Sequence, residues 1–322
     1  MSDQGIVVEN LVKRYGNFAA VNGVSFEVKS GEVFGFLGPN GAGKSTTVQI
    51  LTTLRLPSAG RATVGGYDVV SQAGQLRRIA GVALQEIGLD PLMKSIELLT
   101  IQGQLFGADR KAARARAHEL LELVKLTDFT ERPVGKYSGG MRRRLDLALA
   151  LVHNPDILFL DEPTTGLDPA SRRDIWVEVR RLNQELGMTI FLTTQYLEEA
   201  DELAERIAII DRGKIVASGA PEDLKAALGT ESINITFANA DAAIQAANEL
   251  TGMVERIQTD RQIVRLYLNH AAAAVPGVVN RLQAVGMNPS SLTLTQPTLD
   301  DVFLQVTGQR FEDDAETQAK TA

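Results

Sequence analysis

The feature that most constrains this chain is a nine-residue loop, Gly38-Pro39-Asn40-Gly41-Ala42-Gly43-Lys44-Ser45-Thr46, which fits G-x-x-x-x-G-K-[ST]. It follows an apolar stretch, Val33–Leu37, and opens a helical stretch at Lys44. The pattern carries meaning in that strand–loop–helix context. Glycines let backbone N–H groups turn inward around an anion. The helix N-terminus adds partial positive charge. Lys44 brings a full charge to the β- and γ-phosphates, and Ser45 offers a hydroxyl to Mg²⁺. Gly38, Asn40, Gly41, Ala42, Gly43, Lys44, Ser45 and Thr46 are therefore expected to cradle a nucleoside triphosphate.

Such a loop needs a sheet to deliver it. From Gly5 to about Leu228, short apolar strands alternate with amphipathic helices. Ile6–Val8, Val24–Val28 and Val33–Leu37 read as strands. Ile157–Leu160, Thr189–Thr193 and Ile207–Ile210 are near-continuous apolar runs, as in strands buried on both faces. Ala113, Ala117, Leu120, Leu121 and Val124 share one helical face, and so do Ile175, Val179, Leu182 and Leu186. The alternation implies an α/β sheet. One of its strands ends in Asp161-Glu162, two carboxylates at the end where α/β sheets bind ligands. Asp161 can hold Mg²⁺ through its water shell, and Glu162 can accept a proton from an attacking water.

The pattern changes after Lys225, which is followed by no lysine until Lys320. From the alternating Ile233, Ile235 and Phe237 to about residue 296 the chain reads β-α-β-β-α-β, the split βαβ order. A last helix starts near Thr298 with a capping-box pattern to Asp301, and Gly308 suits its end. The expected division is an ATPase domain at 1–228, an accessory α+β domain at 229–308, and a polar, acidic tail at 309–322 expected to be disordered.

Further motifs make the chain resemble the ATP-binding cassette (ABC) ATPases over roughly residues 5–228. Tyr137-Ser138-Gly139-Gly140-Met141 is similar to their signature loop, usually Leu-Ser-Gly-Gly-Gln. Gln85 stands at the Q-loop position, Gly166-Leu167-Asp168 resembles the D-loop, and Tyr15 resembles the aromatic that stacks on adenine. The resemblance implies a RecA-like core, an antiparallel β subdomain and a helical subdomain. It also implies ATP and Mg²⁺ as cofactors, with Ser45, Gln85 and Asp161 around the metal. Ser138, Gly139 and Gly140 would close over the γ-phosphate held by another copy, so two sites need a homodimer. Ser138 also reads as an N-cap, as does Asp168 before Pro169. Arg142, Arg143 and Arg144 fall in a first helical turn, where positive charge opposes the helix dipole; a site meeting an anion would accept this.

The family's switch histidine is absent, and Gln195 stands in its place. An amide can hydrogen-bond a phosphate but carries no proton or charge, so the basic role falls on Glu162. Tyr-Ser-Gly-Gly-Met-Arg-Arg-Arg, Thr-Thr-Gln-Tyr-Leu-Glu-Glu-Ala-Asp and Gln296-Pro297-Thr298-Leu299-Asp300-Asp301-Val302-Phe303-Leu304 together resemble the daunorubicin/doxorubicin-resistance type of export ATPase. That resemblance implies a separately encoded ABC-2 type permease subunit and a place on the cytoplasmic face of the membrane. It implies export of a hydrophobic drug-like or lipid-like compound. Sodium, a polysaccharide or lipid precursor, or a soluble non-transport role are the alternatives. Residues 86–108 would receive the permease; Ile87, Leu89, Leu92, Met93, Ile96 and Leu99 supply apolar side chains, about half of them expected in the core.

Composition narrows the rest. The charge is −7, from 33 Lys+Arg against 40 Asp+Glu, whereas non-specific nucleic-acid binders are basic. The absence of cysteine excludes a disulfide scaffold, a zinc ribbon and a thiol nucleophile. No apolar run approaches the ~20 residues that span lipid, and the N-terminus lacks a signal-peptide pattern. The expectation is a soluble protein with its membrane partner on another chain.

Overall fold

The computed structural model describes residues 4–86, 88–229, 231–254 and 256–308. The chain divides into two compact units between Ser218 and Gly219. The division lies ten residues before the one expected from composition. Its cause is the short helix Pro221–Ala226, which packs against Leu299–Thr307 in the second unit. The tail at 309–322 lies outside the described residues.

The first unit holds two sheets. The central one runs in the order Lys214–Gly219, Arg206–Asp211, Val33–Leu37, Thr189–Thr194, Ile157–Asp161, Ala80–Ala83. Its inner strands are parallel, with Leu37 opposite Thr194 and Asp161 opposite Thr193. Val33–Leu37, Ile157–Asp161 and Thr189–Thr194 are buried at every position, which is why they read as unbroken apolar runs. Period-two alternation still sorts their side chains. Phe34, Phe36, Phe159 and Phe191 face one side, where they join Phe26 with ring centroids 5.4–5.8 Å apart. Leu158, Leu160, Ile190 and Leu192 face the other, among residues of the helices Ser95–Leu105, Arg110–Leu123, Gly139–Ala150 and Pro169–Leu186.

The Phe26 side of that core belongs to an antiparallel sheet ordered Phe18–Lys29, Gln4–Tyr15, Ala59–Val64, Tyr67–Asp68. The expected strands at 6–8 and 24–28 are the apolar middles of its two long strands. Ladder pairing extends both beyond those middles, through segments interrupted by Asn10, Asn22 and Gly23.

The second unit follows the expected β-α-β-β-α-β order. Its sheet runs Arg256–Asp260, Ile263–Leu268, Glu231–Thr236, Ser291–Thr295, all antiparallel. Helices Ala240–Leu250 and Ala271–Ala284 bury Ala243, Ala246, Leu250, Val278 and Leu282 with Ile233, Ile235, Val264 and Leu266. Helix Leu299–Thr307 carries the Thr298–Asp301 capping box and ends at Gly308 with φ 74°. Among the described residues, no helix is long and apolar enough to cross a membrane.

Candidate active site

Adjacent parallel strands bring the sequence-selected residues to one end of the central sheet. Val33–Leu37 leads into the phosphate loop, Ile157–Asp161 ends in Asp161 and Glu162, Thr189–Thr194 ends in Thr193, and Gln85 follows Ala80–Ala83. The loop has little freedom. Gly43 adopts φ +110°, and a Cβ there would stand 2.3 Å from the Ala20 carbonyl oxygen. A Cβ on Gly38 would meet the Ile210 carbonyl oxygen at the same distance. The helix Lys44–Leu51 starts directly from Gly43, and Thr47 Oγ1 donates to the Gly43 carbonyl at 2.9 Å.

Lys44 is 4% exposed, and its ammonium meets only acceptors. It donates to the carbonyls of Gly38 at 2.7 Å and Pro39 at 3.2 Å and pairs with Glu162 Oε1 at 3.1 Å. Burial pulls the Lys44 pKa down, and the Glu162 carboxylate opposes that pull. The second Glu162 oxygen accepts from Gln85 Nε2 at 3.1 Å and from Thr165 Oγ1 at 3.2 Å. Glu162 has φ +49°, a conformation uncommon for a residue with a side chain, and its N–H is held by the Thr193 carbonyl at 3.0 Å. Asp161 Oδ1 accepts from Ser45 Oγ at 3.2 Å and from Thr193 Oγ1. Burial pushes the Asp161 carboxyl up, and those two hydroxyls hold it down. A hydroxyl and a carboxylate converging beside a buried lysine form an all-oxygen donor set, the kind that suits Mg²⁺.

The remaining candidates make local contacts of their own. Ser138 is exposed and caps Gly139–Ala150 by accepting from Met141 N–H at 3.2 Å. Asp168 caps Pro169–Leu186, taking bonds from Ala170 N–H, Ser171 N–H and Ser171 Oγ. Tyr15 is 41% exposed, with Lys13 Nζ and Arg55 about 5.5 Å from its ring centre. Gln195 is half-buried just past Thr194.

Comparisons with known proteins place this arrangement. The ABC transporter family matches residues 21–165, and the family described as "ATP-binding protein DrrA1-3-like, C-terminal domain" matches 219–307. The chain is 45% identical to the daunorubicin resistance ATP-binding protein DrrA3 of Streptomyces coeruleorubidus over 310 residues, covering 96% of this chain and 97% of that one. The chain belongs to this family of ABC ATP-binding proteins. It is an ABC-type ATPase. It is also 37% identical to the linearmycin resistance ATP-binding protein LnrL of Bacillus subtilis strain 168, covering 95% and 99% of the two chains. A solved dimeric ABC cassette in a post-hydrolysis state, bound to ADP and Pi, superposes with a TM-score of 0.62 at 27% identity, covering 67% of this chain and 98% of that one.

One expectation about this ABC ATPase fails. Only Arg142 of the three arginines is exposed. Arg144 donates to the Val124 carbonyl at 3.2 Å. Arg143 is 4% exposed and points into the protein, donating from Nε to the Pro163 carbonyl at 2.8 Å and from Nη2 to the Asp161 carbonyl at 3.0 Å. Its Nη1 serves the Leu84 carbonyl and Asp146 Oδ2, the latter at 3.1 Å. Burial raises the Asp146 carboxyl to about 6, against the pull of Arg143. Of the positive charge on this helix, that of Arg143 and Arg144 is thus taken up by carbonyls and by Asp146, and Arg142 alone stays at the surface. Sequence reading missed Arg143. The available signals were Asp146 three residues on and the apolar Leu147 and Ala150 on the same helical face.

A cavity of about 400 Å³ opens beside the Q-loop, lined among others by Leu84, Leu89, Gln102, Phe106, Asp146 and His153. The apolar residues that follow Gln85 in sequence divide: Ile96 and Leu99 are buried, Leu89 packs against the core, and Leu92 is 86% exposed. Ile87 lies outside the described residues.

Proposed function

We propose that the chain is the ATP-hydrolysing subunit of an exporter, working as a homodimer on the cytoplasmic face of a membrane with a separately encoded ABC-2 type permease. The observation that carries the catalytic part is the buried ion pair between Lys44 and Glu162. In it a carboxylate fills the anion position that the loop is shaped to offer. ATP phosphates would take that position, exchanging one anion for another on a lysine whose desolvation is already complete. The loop N–H groups from Gly38 to Thr46 and Lys44 would bind the phosphates, and Tyr15 would stack on adenine. Ser45, Asp161 and Gln85 would hold Mg²⁺, which neutralises phosphate charge when bound.

Released from Lys44, Glu162 stays anchored by Gln85 and Thr165 and accepts the proton of the attacking water. Gln195 would hydrogen-bond the γ-phosphate without exchanging a proton. Ser138, Gly139 and Gly140 of one copy would face the nucleotide on its partner, with Asp168 near the shared edge. The cavity beside the Q-loop and the exposed Leu92 of the segment after Gln85 are where the permease would dock. The cargo class, a hydrophobic drug-like or lipid-like compound, follows the naming of the daunorubicin and linearmycin relatives. Expressed with its permease, the chain should co-purify from detergent-solubilised membranes with a hydrophobic multi-helix protein. It should also hydrolyse ATP in a Mg²⁺-dependent manner. Recovery in the soluble fraction alone, with the permease present, removes the exporter reading.

A further inference from the structure

The site contains a residue that touches no reacting group and yet fixes those that do. Glu162 holds a backbone conformation that a non-glycine residue keeps only when its surroundings over-determine it. On one side its N–H is tied to Thr193. The peptide carbonyls that flank it, those of Asp161 and Pro163, both accept from a single guanidinium, Arg143. The same guanidinium reaches the Leu84 carbonyl, the peptide directly before Gln85, whose amide in turn holds the Glu162 carboxylate. One planar cation therefore fastens the backbone on both sides of Glu162 and the backbone next to the side chain that orients it. A guanidinium suits this task, because its fixed fork can serve several carbonyls at once where an ammonium has one point of charge.

Arg143 is itself held by Asp146, one helical turn on. Asp146 also lines the cavity beside the Q-loop. The helix that carries this pair starts at Ser138, the signature serine. The pair thus stands between three things: a surface cavity, the helix start that would face a second copy, and the carboxylate–amide couple.

We propose that Arg143 is a positioning residue for Glu162 and Gln85, held in place by Asp146. The proposal rests on the reading of Glu162 as the proton acceptor. Arg143 bonds to backbone behind the carboxylates and not to the phosphate loop, so its loss is expected to fall on hydrolysis rather than on ATP binding. Its loss lowers kcat and leaves KM for ATP alone.

The test is a cycle of variants in the full-length protein: Arg143→Gln and Glu162→Gln, singly and together, measured by single-turnover hydrolysis and by equilibrium ATP binding. Arg143→Gln is expected to lower the rate at least tenfold, with the ATP dissociation constant within about twofold of wild type. In the Glu162→Gln background the same change is expected to cost less than twofold, because the group it positions is already gone. Arg143→Lys, which keeps the charge and part of the reach, is expected to recover some of the rate. It also stands in if Arg143→Gln does not fold, with a threefold or larger loss of rate in the Glu162 protein and none in the Glu162→Gln protein. An equal loss in both backgrounds overturns the proposal, because it marks a general structural defect. An unchanged rate in the Glu162 protein overturns it as well. If Glu162→Gln hydrolyses ATP at the wild-type rate, the base assignment itself fails and this proposal falls with it. If Glu162→Gln loses its activity and Arg143→Gln hydrolyses ATP at the wild-type rate, only the proposal falls.

Discussion

Replacing Glu162 by Gln separates binding from hydrolysis, and the structure sets the sign of both effects. The substitution is isosteric, but the carboxylate serves two sides at once, Lys44 at Oε1 and the Gln85–Thr165 pair at Oε2. An amide accepts on one side only; its NH₂ must face donors on the other, which costs about 1–3 kcal/mol in the nucleotide-free protein. That penalty falls on the state without ATP. With ATP bound, Lys44 has phosphate oxygens to pair with, and one anion fewer stands beside them. Affinity for ATP is therefore expected to be equal to wild type or up to about tenfold tighter. Hydrolysis behaves otherwise. A positioned general base contributes about 10²–10⁴-fold, or about 3–5 kcal/mol of barrier at roughly 1.4 kcal/mol per tenfold. Single-turnover hydrolysis of labelled ATP reads the rate, and titration with a fluorescent nucleotide reads the affinity. An ATP-bound dimer should accumulate on size exclusion. A rate within threefold of wild type, or ATP binding weakened more than tenfold, refutes the reasoning.

Gly43→Ala should weaken ATP binding at least tenfold in the same titration, because the new methyl meets the Ala20 carbonyl at a φ that L-residues avoid; wild-type affinity would contradict the loop geometry. Asp146 makes stability pH-dependent. Its carboxyl is raised to about 6 from 3.8, so the folded state binds that proton more tightly. Stability from this group is therefore present at low pH and lost as pH rises toward 6. The loss is about 2 kcal/mol between roughly pH 4.5 and 7.5. Urea denaturation of Asp146→Asn against wild type should show this difference in slope, and parallel profiles would count against it. Leu92→Asp should leave folding and Mg²⁺-ATPase activity intact and abolish pull-down of the permease, whereas Leu89→Asp, partly packed in the core, should also lower the melting temperature. Equal melting losses for both would place Leu92 in the core.

How much of this was legible depends on whether the partner of each residue has a signature of its own. The strand–loop–helix shape around residues 38–46 was legible because its tight turns demand glycine at fixed offsets, as Gly38 and Gly43 show. The central strands were legible because burial on both faces leaves runs such as Ile157–Leu160 without polar breaks. The second unit was legible because its alternating Ile233, Ile235 and Phe237 contrast with helices on either side. The boundary was not, since the helix Pro221–Ala226 is too short to announce its partner Leu299–Thr307 more than seventy residues on. The burial of Arg143 left a trace in Asp146, Leu147 and Ala150, but its task was illegible for a related reason. Three of its four acceptors are peptide carbonyls, which every residue carries, contributed by segments around positions 84 and 161–163.

Ser138 is the instructive middle case, because its two readings compete in sequence and not in space. Its oxygen accepts from Met141 N–H, which uses one lone pair. A hydroxyl that accepts in this way still has a proton to donate. The cap therefore fixes the serine at the exposed start of the helix with its donor directed away from that helix's own N–H groups, and a phosphate oxygen on a second copy is an acceptor it could take. Asp168 differs: one of its oxygens serves two backbone N–H groups and the other a hydroxyl, all in its own first turn. The same capping position thus leaves a serine with a bond to give and an aspartate already engaged. Replacing Ser138 by Ala should remove the donor and part of the cap together, whereas Asp at that position keeps the cap and puts a negative charge in place of the donor. Ser138→Asp should therefore retain the melting temperature while losing ATP-dependent dimerisation on size exclusion. A Ser138→Asp protein that dimerises with ATP as wild type does would leave the serine with its capping role alone.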